Sequence, residues 1–297
     1  MLDTPSWIDE LPVRSIVDRN VTVRFALQPG DRPLVVAGEE VAAGTPLLER
    51  LRDRRIEEVA VPAGEGTSDG ADQGPVAGRR WTATIGSRLR RHGASLEGEL
   101  LEPVPGRRDR WRMATSDHRD TVESPIAGRV TDVLPGGAIS ILARGLGVGA
   151  ALAAGTPAHG RLELATDPFG ELRPGGIDVG RAGSILVVGA RIDAEALTRA
   201  RAMGVRGIVV ASLSGKDLHD FQASERRQRA SLHAAMPFGV IALEGTRRRR
   251  IPGPVAALLT RLAGREVGLV TDPPALVLEA AESDLTAIDP EWVRVRS

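Results

Sequence analysis

Between residues 183 and 279 short apolar runs alternate with helix-like ones, and this alternation limits the possible folds more than any other feature. Ser184-Ile185-Leu186-Val187-Val188-Gly189, Gly207-Ile208-Val209-Val210-Ala211, Gly239-Val240-Ile241-Ala242-Leu243 and Val267-Gly268-Leu269-Val270 all have strand length. Residues 193–203, 216–236 and 254–262, which separate them, carry helical patterns. Strands apolar on both faces, joined through amphipathic helices, predict a parallel sheet covered on both sides. The expected fold over residues 183–279 is therefore a three-layer α/β domain with a mainly parallel sheet.

A chain of 297 residues has room for more than one such unit. Its formal net charge is zero, so no global field draws it to nucleic acid or membrane. The absence of cysteine removes disulfides, iron–sulfur clusters, thiolate zinc sites and cysteine nucleophiles together. Met1-Leu2-Asp3-Thr4-Pro5-Ser6-Trp7 lacks the basic-then-apolar order of a signal peptide, and no apolar run reaches bilayer length. A cytoplasmic protein without a membrane partner is expected. Lys216 is the only lysine, so any lysine chemistry is confined to that position.

Upstream of residue 165 the pattern is different. Val21-Thr22-Val23-Arg24-Phe25, Pro33-Leu34-Val35-Val36 and Val41-Ala42-Ala43-Gly44-Thr45-Pro46-Leu47-Leu48 are short segments with Gly30, Gly38 and Gly44 at turn spacing. Residues 64–78 are Gly, Ser, Asp and Ala without periodicity, as in a flexible loop. The β pattern resumes over 122–164, where Thr131-Asp132-Val133-Leu134 and Ala138-Ile139-Ser140-Ile141-Leu142 flank a Pro135-Gly136-Gly137 turn. The predicted organisation is a β module over 1–165 with a flexible insertion near 64–78, and a Gly- and Pro-rich linker over 166–182. The α/β domain over 183–279 and a tail over 280–297 follow.

Two of these pieces, Val41-Ala42-Ala43-Gly44-Thr45-Pro46-Leu47 and Ser124-Pro125-Ile126-Ala127-Gly128-Arg129-Val130, resemble the halves of a barrel-sandwich hybrid. That is the small β fold of biotinyl and lipoyl carriers, which also serves as a non-carrier domain in redox-complex subunits. Carriers present a lysine on a hairpin tip, and this region has none, so the resemblance implies the non-carrier use of the fold. The order β module then α/β domain is also similar to that of uncharacterised bacterial accessory proteins of cobalamin-dependent mutases. The resemblance implies recognition of a protein partner and no bound cofactor.

Candidate site residues come from the ends of the apolar runs. In open α/β sheets ligands sit beyond the carboxyl ends of the strands. There Ser212, Ser214, Lys216, Thr246 and Arg247 would supply hydroxyls and cations for an anion. The plainer meaning is that Asp193 and Ser214 are helix N-caps. Neither Gly-x-x-x-x-Gly-Lys-[Ser/Thr] nor Gly-x-Gly-x-x-Gly is present, which argues against the usual nucleotide sites. Arg247 begins a run with Arg248, Arg249 and Arg250, four adjacent cations that suit a phosphate or an acidic partner. From 79 to 112 arginines surround Trp81 and Trp111, the combination that single-stranded nucleic acid requires. An edge hairpin with inward tryptophans gives the same pattern, and zero net charge weighs against nucleic acid. The five histidines show no metal-ligand spacing, and no Gly-x-Ser-x-Gly elbow marks a catalytic serine, so neither metal nor catalytic residue is assigned.

Three functions follow from this reading. The first is a non-enzymatic scaffold or accessory subunit that binds a protein partner or a second copy of itself. Arg248, Arg249, Arg250, Trp81 and Trp111 would then be contact residues. The second is an enzyme or sensor that holds a small anionic ligand on the rim formed by Ser212, Ser214, Lys216, Thr246 and Arg247. The third is nucleic-acid binding through residues 79–112.

Overall fold

The computed structural model describes residues 17–18, 21–51, 56–61, 77–85, 94–107, 109–115, 119–134, 136–230, 237–278 and 293–294. The 64–78 run, except its last two residues, and the 280–297 tail, except Val293–Arg294, lie outside them. One large sheet dominates. Its strand order is Leu152–Gly155, Gly239–Ala242, Gly207–Ser212, Ser184–Ile192, Ala158–Leu164, Glu266–Thr271, Pro274–Leu278, Leu146–Gly149, Val17–Asp18 and Val293–Arg294.

This arrangement corrects the expected fold class. The C-terminal region is not a mainly parallel three-layer α/β domain: strand makes up 47% and helix 17% of the structure, with several antiparallel sheets. A parallel run does exist, through Ala158–Leu164, Ser184–Ile192, Gly207–Ser212 and Gly239–Ala242. Glu266–Thr271, however, pairs antiparallel with both Ala158–Leu164 and Pro274–Leu278, and Leu152–Gly155 pairs antiparallel with Gly239–Ala242. The physical reason is partner choice. A buried apolar strand has the same composition in either direction, so the sequence shows its burial and not its orientation.

Helix α1 (Ala194–Ala202) starts where the Asp193 carboxylate accepts from the Ala196 amide at 2.7 Å, and it buries Ala196, Leu197 and Ala200. Helix α2 (Gly215–Ala230) lies beside it, tied through Arg201 to Glu225 and Ser224. With Leu186, Val188, Val210 and Phe221 these helices form one core. Helix α3 (Gly253–Arg261) covers the opposite face through Val255, Leu258 and Leu259, against Ile185, Val187, Val209 and Leu269. Side chains alternate along each strand, so the two faces divide cleanly.

The β module interleaves two halves of the chain. Thr22–Ala26 pairs with Ala138–Ala143, Glu40–Val41 with Gly128–Val133, and Pro46–Leu51 with Arg119–Glu123, all antiparallel. The halves also cross at a turn: the Gly44 amide donates to the Ser124 carbonyl, and the Ser124 amide to the Thr45 carbonyl, both at 2.8 Å. Gly44 holds φ +84°, a left-handed conformation that glycine adopts without a Cβ penalty. Val23, Phe25, Leu47, Leu48, Val130, Ile139 and Ile141 fill the interior. The same core contains Val270, Ala275 and Val277 from the large sheet, so module and sheet share one hydrophobic interior.

Between the two halves a four-stranded antiparallel sheet is inserted: Ile56–Ala60, Arg110–Ala114, Ala94–Pro103 and Arg80–Ile85. Leu101 and Ala114 cluster with Leu51 of the module. Glu99 accepts from Arg32 at 2.7 Å and from Arg119 at 2.8 Å, which fixes the inserted sheet on the same side. Among the described residues no helix is long and apolar enough to cross a membrane.

At the amino end of the Ser184–Ile192 strand, the Ser184 hydroxyl donates to Glu163 Oε1 at 2.5 Å and Arg161 Nη2 donates at 3.0 Å. The Ser184 hydrogen bond, aided by Arg161 and Arg181 and opposed by partial burial, holds the Glu163 carboxyl below its ordinary range. As pH falls below about 4.3 the unfolded chain takes up this proton before the folded one does. The stability that Glu163 contributes is complete above that pH and is lost as pH drops through its lower folded value. Urea midpoints measured from about pH 6 down to pH 3 should fall less steeply for Ser184→Ala than for the parent chain. Equal slopes would show that the Ser184 hydrogen bond to Glu163 contributes nothing to the acid sensitivity.

Candidate functional site

Apart from Ser184 at the amino end of its strand, the buried polar residues of the large sheet and its helices gather at the carboxyl end of the parallel run. Ser212, Asp217 and Glu244 are buried there. The Ser212 hydroxyl donates to the Ala190 carbonyl at 2.8 Å and accepts from the Arg249 amide at 3.3 Å. Glu244 accepts from Arg249 Nη1 at 3.3 Å. Asp217 accepts from the Ser214 hydroxyl, from the Ala194 amide at 3.2 Å and from Arg191 Nη2 at 3.4 Å. Its own amide donates to Ser214 Oγ at 3.1 Å, so Ser214 is the N-cap of α2.

A cleft of about 370 Å³ opens beside this network. One wall is Glu171, Leu172, Arg173 and Pro174; the other is Arg191, Ile192 and Asp193. The walls are two stretches of backbone in parallel register, with Glu171 opposite Arg191 and Leu172 opposite Ile192. An irregularity between Val188 and Arg191 then brings Arg191 opposite Ser212 on its other side. Beneath the cleft the loop before Glu171 crosses Gly189 so closely that a Cβ there would lie 2.1 Å from the Asp167 carbonyl oxygen. Only glycine allows that crossing.

The charges of the cleft are incompletely used. Arg191 is about half exposed and is held by the single 3.4 Å contact to Asp217. Arg173 is exposed and makes no ion pair among the described residues. Glu171 uses one oxygen for Arg248, at 2.6 Å, and Asp193 uses one to cap α1. At the start of α1 the Ala194 and Ala196 amides are already taken by Asp217 and Asp193, which leaves the guanidinium groups as the main positive groups of the cleft.

None of the five rim residues expected from the sequence lines this cleft. Ser212 and Ser214 are close by but spend their hydroxyls internally, while Lys216, Thr246 and Arg247 are exposed outside it. The arginine run is pinned to its own chain: Arg248 on Glu171, Arg249 on Glu244, and Arg250 over the Phe169 ring at 5.3 Å. Trp81 is buried with Val59, Leu100 and Met113, and the half-buried Trp111 packs against that cluster. Its neighbouring arginines include Arg112, paired with Glu102 at 2.5 Å, and Arg107, near Glu58 at 3.8 Å. The tryptophan side chains thus serve the interior of the inserted sheet.

Sequence reasoning missed Arg173 and Glu171, which sit in the segment read as a linker, and left Arg191 out of the ligand set although it lies just beyond the first apolar run. The available signal was the opposition of Glu171-Leu172-Arg173 to Arg191-Ile192-Asp193, charge for countercharge. No family model matches the chain, and no curated protein or solved structure matches it with statistical significance.

Proposed function

We propose that this chain is a non-enzymatic, ligand-binding accessory protein that holds a small anionic molecule in the cleft between residues 171–174 and 191–193. The observation that carries the reading is the pair Arg173 and Arg191, two arginines lining one cleft, of which Arg191 has a single 3.4 Å contact to Asp217 and Arg173 has no ion pair among the described residues. The position agrees with the general rule that ligands lie beyond the carboxyl ends of parallel strands. The nearby hydroxyls and carboxylates support a binding role because they act as caps and braces: Ser214 and Asp217 on α2, Ser212 on the Ala190 carbonyl. The β module, in this reading a barrel-sandwich hybrid without an attachment lysine, braces the large sheet through their shared core. Its interleaved halves and the Gly44–Ser124 crossing favour that assignment. A cytoplasmic setting belongs to the same proposal.

Calorimetric titration with a set of small carboxylates and phosphates tests the reading. At least one should bind, weakly, because each charge pair is partly exposed and contributes about 1 kcal/mol or less. Arg191→Ala and Arg173→Ala should each lower that affinity several-fold, while Lys216→Ala and Arg247→Ala leave it unchanged. Binding that depends on Lys216 or Arg247 and ignores Arg191 would overturn the proposal.

A further inference from the structure

The cleft presents more than a positive surface. Glu171 stands opposite Arg191 in register, and one step further along Arg173 and Asp193 face the same space, so two positive and two negative groups alternate around it. These four do not satisfy one another: the ion pairs run outward instead, Arg191 to Asp217 and Glu171 to Arg248. Glu171 Oε2 and Asp193 Oδ2 have no hydrogen-bond partner among the described residues. A ligand that is only an anion would satisfy the arginines and leave those two oxygens facing its own charge. A ligand that carries an ammonium group beside its anion would satisfy both sets.

From this we infer that the ligand is a small zwitterion of the α-amino acid type. Its carboxylate lies between Arg173 and Arg191 and its ammonium reaches the spare oxygens of Glu171 and Asp193, while Leu172 and Ile192 are buried core residues and take no part in the contact. Three N–H donors of an ammonium and the planar fork of a guanidinium suit these two subsites respectively. The inference rests on the preceding reading of the cleft as a ligand site, and the test separates the two.

L-leucine, its deaminated analogue 4-methylpentanoate and inorganic phosphate are titrated in parallel into the full chain. Leucine is expected to bind at least about tenfold more tightly than 4-methylpentanoate, which lacks only the ammonium group. Asp193→Asn keeps an N-cap residue, so α1 remains formed, and it should reduce that ratio by several-fold while affinity for phosphate stays the same or rises. Glu171→Gln should do likewise. Equal binding of leucine and its analogue, or a ratio untouched by Asp193→Asn, overturns the zwitterion and leaves the anion site standing. Binding of phosphate alone has the same meaning. If none of the three binds, the anion-site reading falls with it.

Discussion

Gly268→Ala should destabilise the protein by about 3 kcal/mol, the upper end of what an added core methyl usually costs. A Cβ at this position would lie 2.2 Å from the Pro125 carbonyl oxygen and 2.4 Å from Ile126 Cγ2, well inside contact distance. The first of these is backbone and cannot rotate away. Relief requires the β module to move off the hairpin made by Glu266–Thr271 and Pro274–Leu278, which opens the core formed by Ile126, Val270, Ala275 and Val277. It also strains the bond from the Arg24 amide to the Asp272 carbonyl, 2.9 Å long. Gly268 is not among the positive-φ glycines, so backbone propensity by itself would favour alanine slightly, and the whole loss is steric. For a chain of this size the melting temperature should fall by roughly 6–12 °C. Gly175→Ala, where a Cβ meets nothing within 4 Å, serves as the control and should change stability by about 0.5 kcal/mol or less. Equal stabilities for the two variants would mean that module and sheet do not share an interior.

Asp217→Ala should be nearly as damaging, at about 2–3 kcal/mol, by a different mechanism. The side chain is only 9% exposed and serves two helices at once: it takes the Ala194 amide at the start of α1 and accepts from the hydroxyl of Ser214, the N-cap of α2. Losing a cap costs about 1 kcal/mol, and leaving a buried donor without an acceptor adds about 1–3 kcal/mol. Asp217→Asn retains an acceptor and should recover about half of the loss. Both variants strip Arg191 of its internal counter-ion, so small-anion affinity should rise even as stability falls. Chemical denaturation paired with titration separates the two effects. A variant that is less stable with unchanged anion affinity would show that Arg191 is not part of the site.

The legible part of the fold is the part whose signals are local. Ser184–Ile192, Gly207–Ser212 and Gly239–Ala242 are continuous apolar runs with helix between them, and they are the parallel core of the sheet. Asp193 and Ser214 stand at the helix starts that their side chains suggested. Glu266–Thr271 carries the same kind of run, yet its direction depends on Ala158–Leu164, more than a hundred residues away, and nothing within the run records that pairing. The cleft was hidden for a related reason. Glu171–Leu172 is two residues long, too short for any periodicity, and its charges acquire meaning only through register with Arg191–Ile192. Polar loops at the strand ends were visible in Ser212 and Ser214, but their bonds to Ala190 and Asp217 are tertiary facts. Basic residues around Trp81 and Trp111 have two meanings in sequence, and burial of Trp81 shows which way that indole points.

We place the functional site in the cleft between the 171–174 and 191–193 stretches. Backbone amide shifts recorded while L-leucine is titrated into the full chain check this placement residue by residue. The predicted result is a set of saturating shifts centred on Glu171, Leu172 and Arg173 and on Arg191, Ile192 and Asp193, absent in Arg191→Ala. Shifts centred instead on Lys216, Thr246 and Arg247 would return the site to the outer rim and contradict the claim.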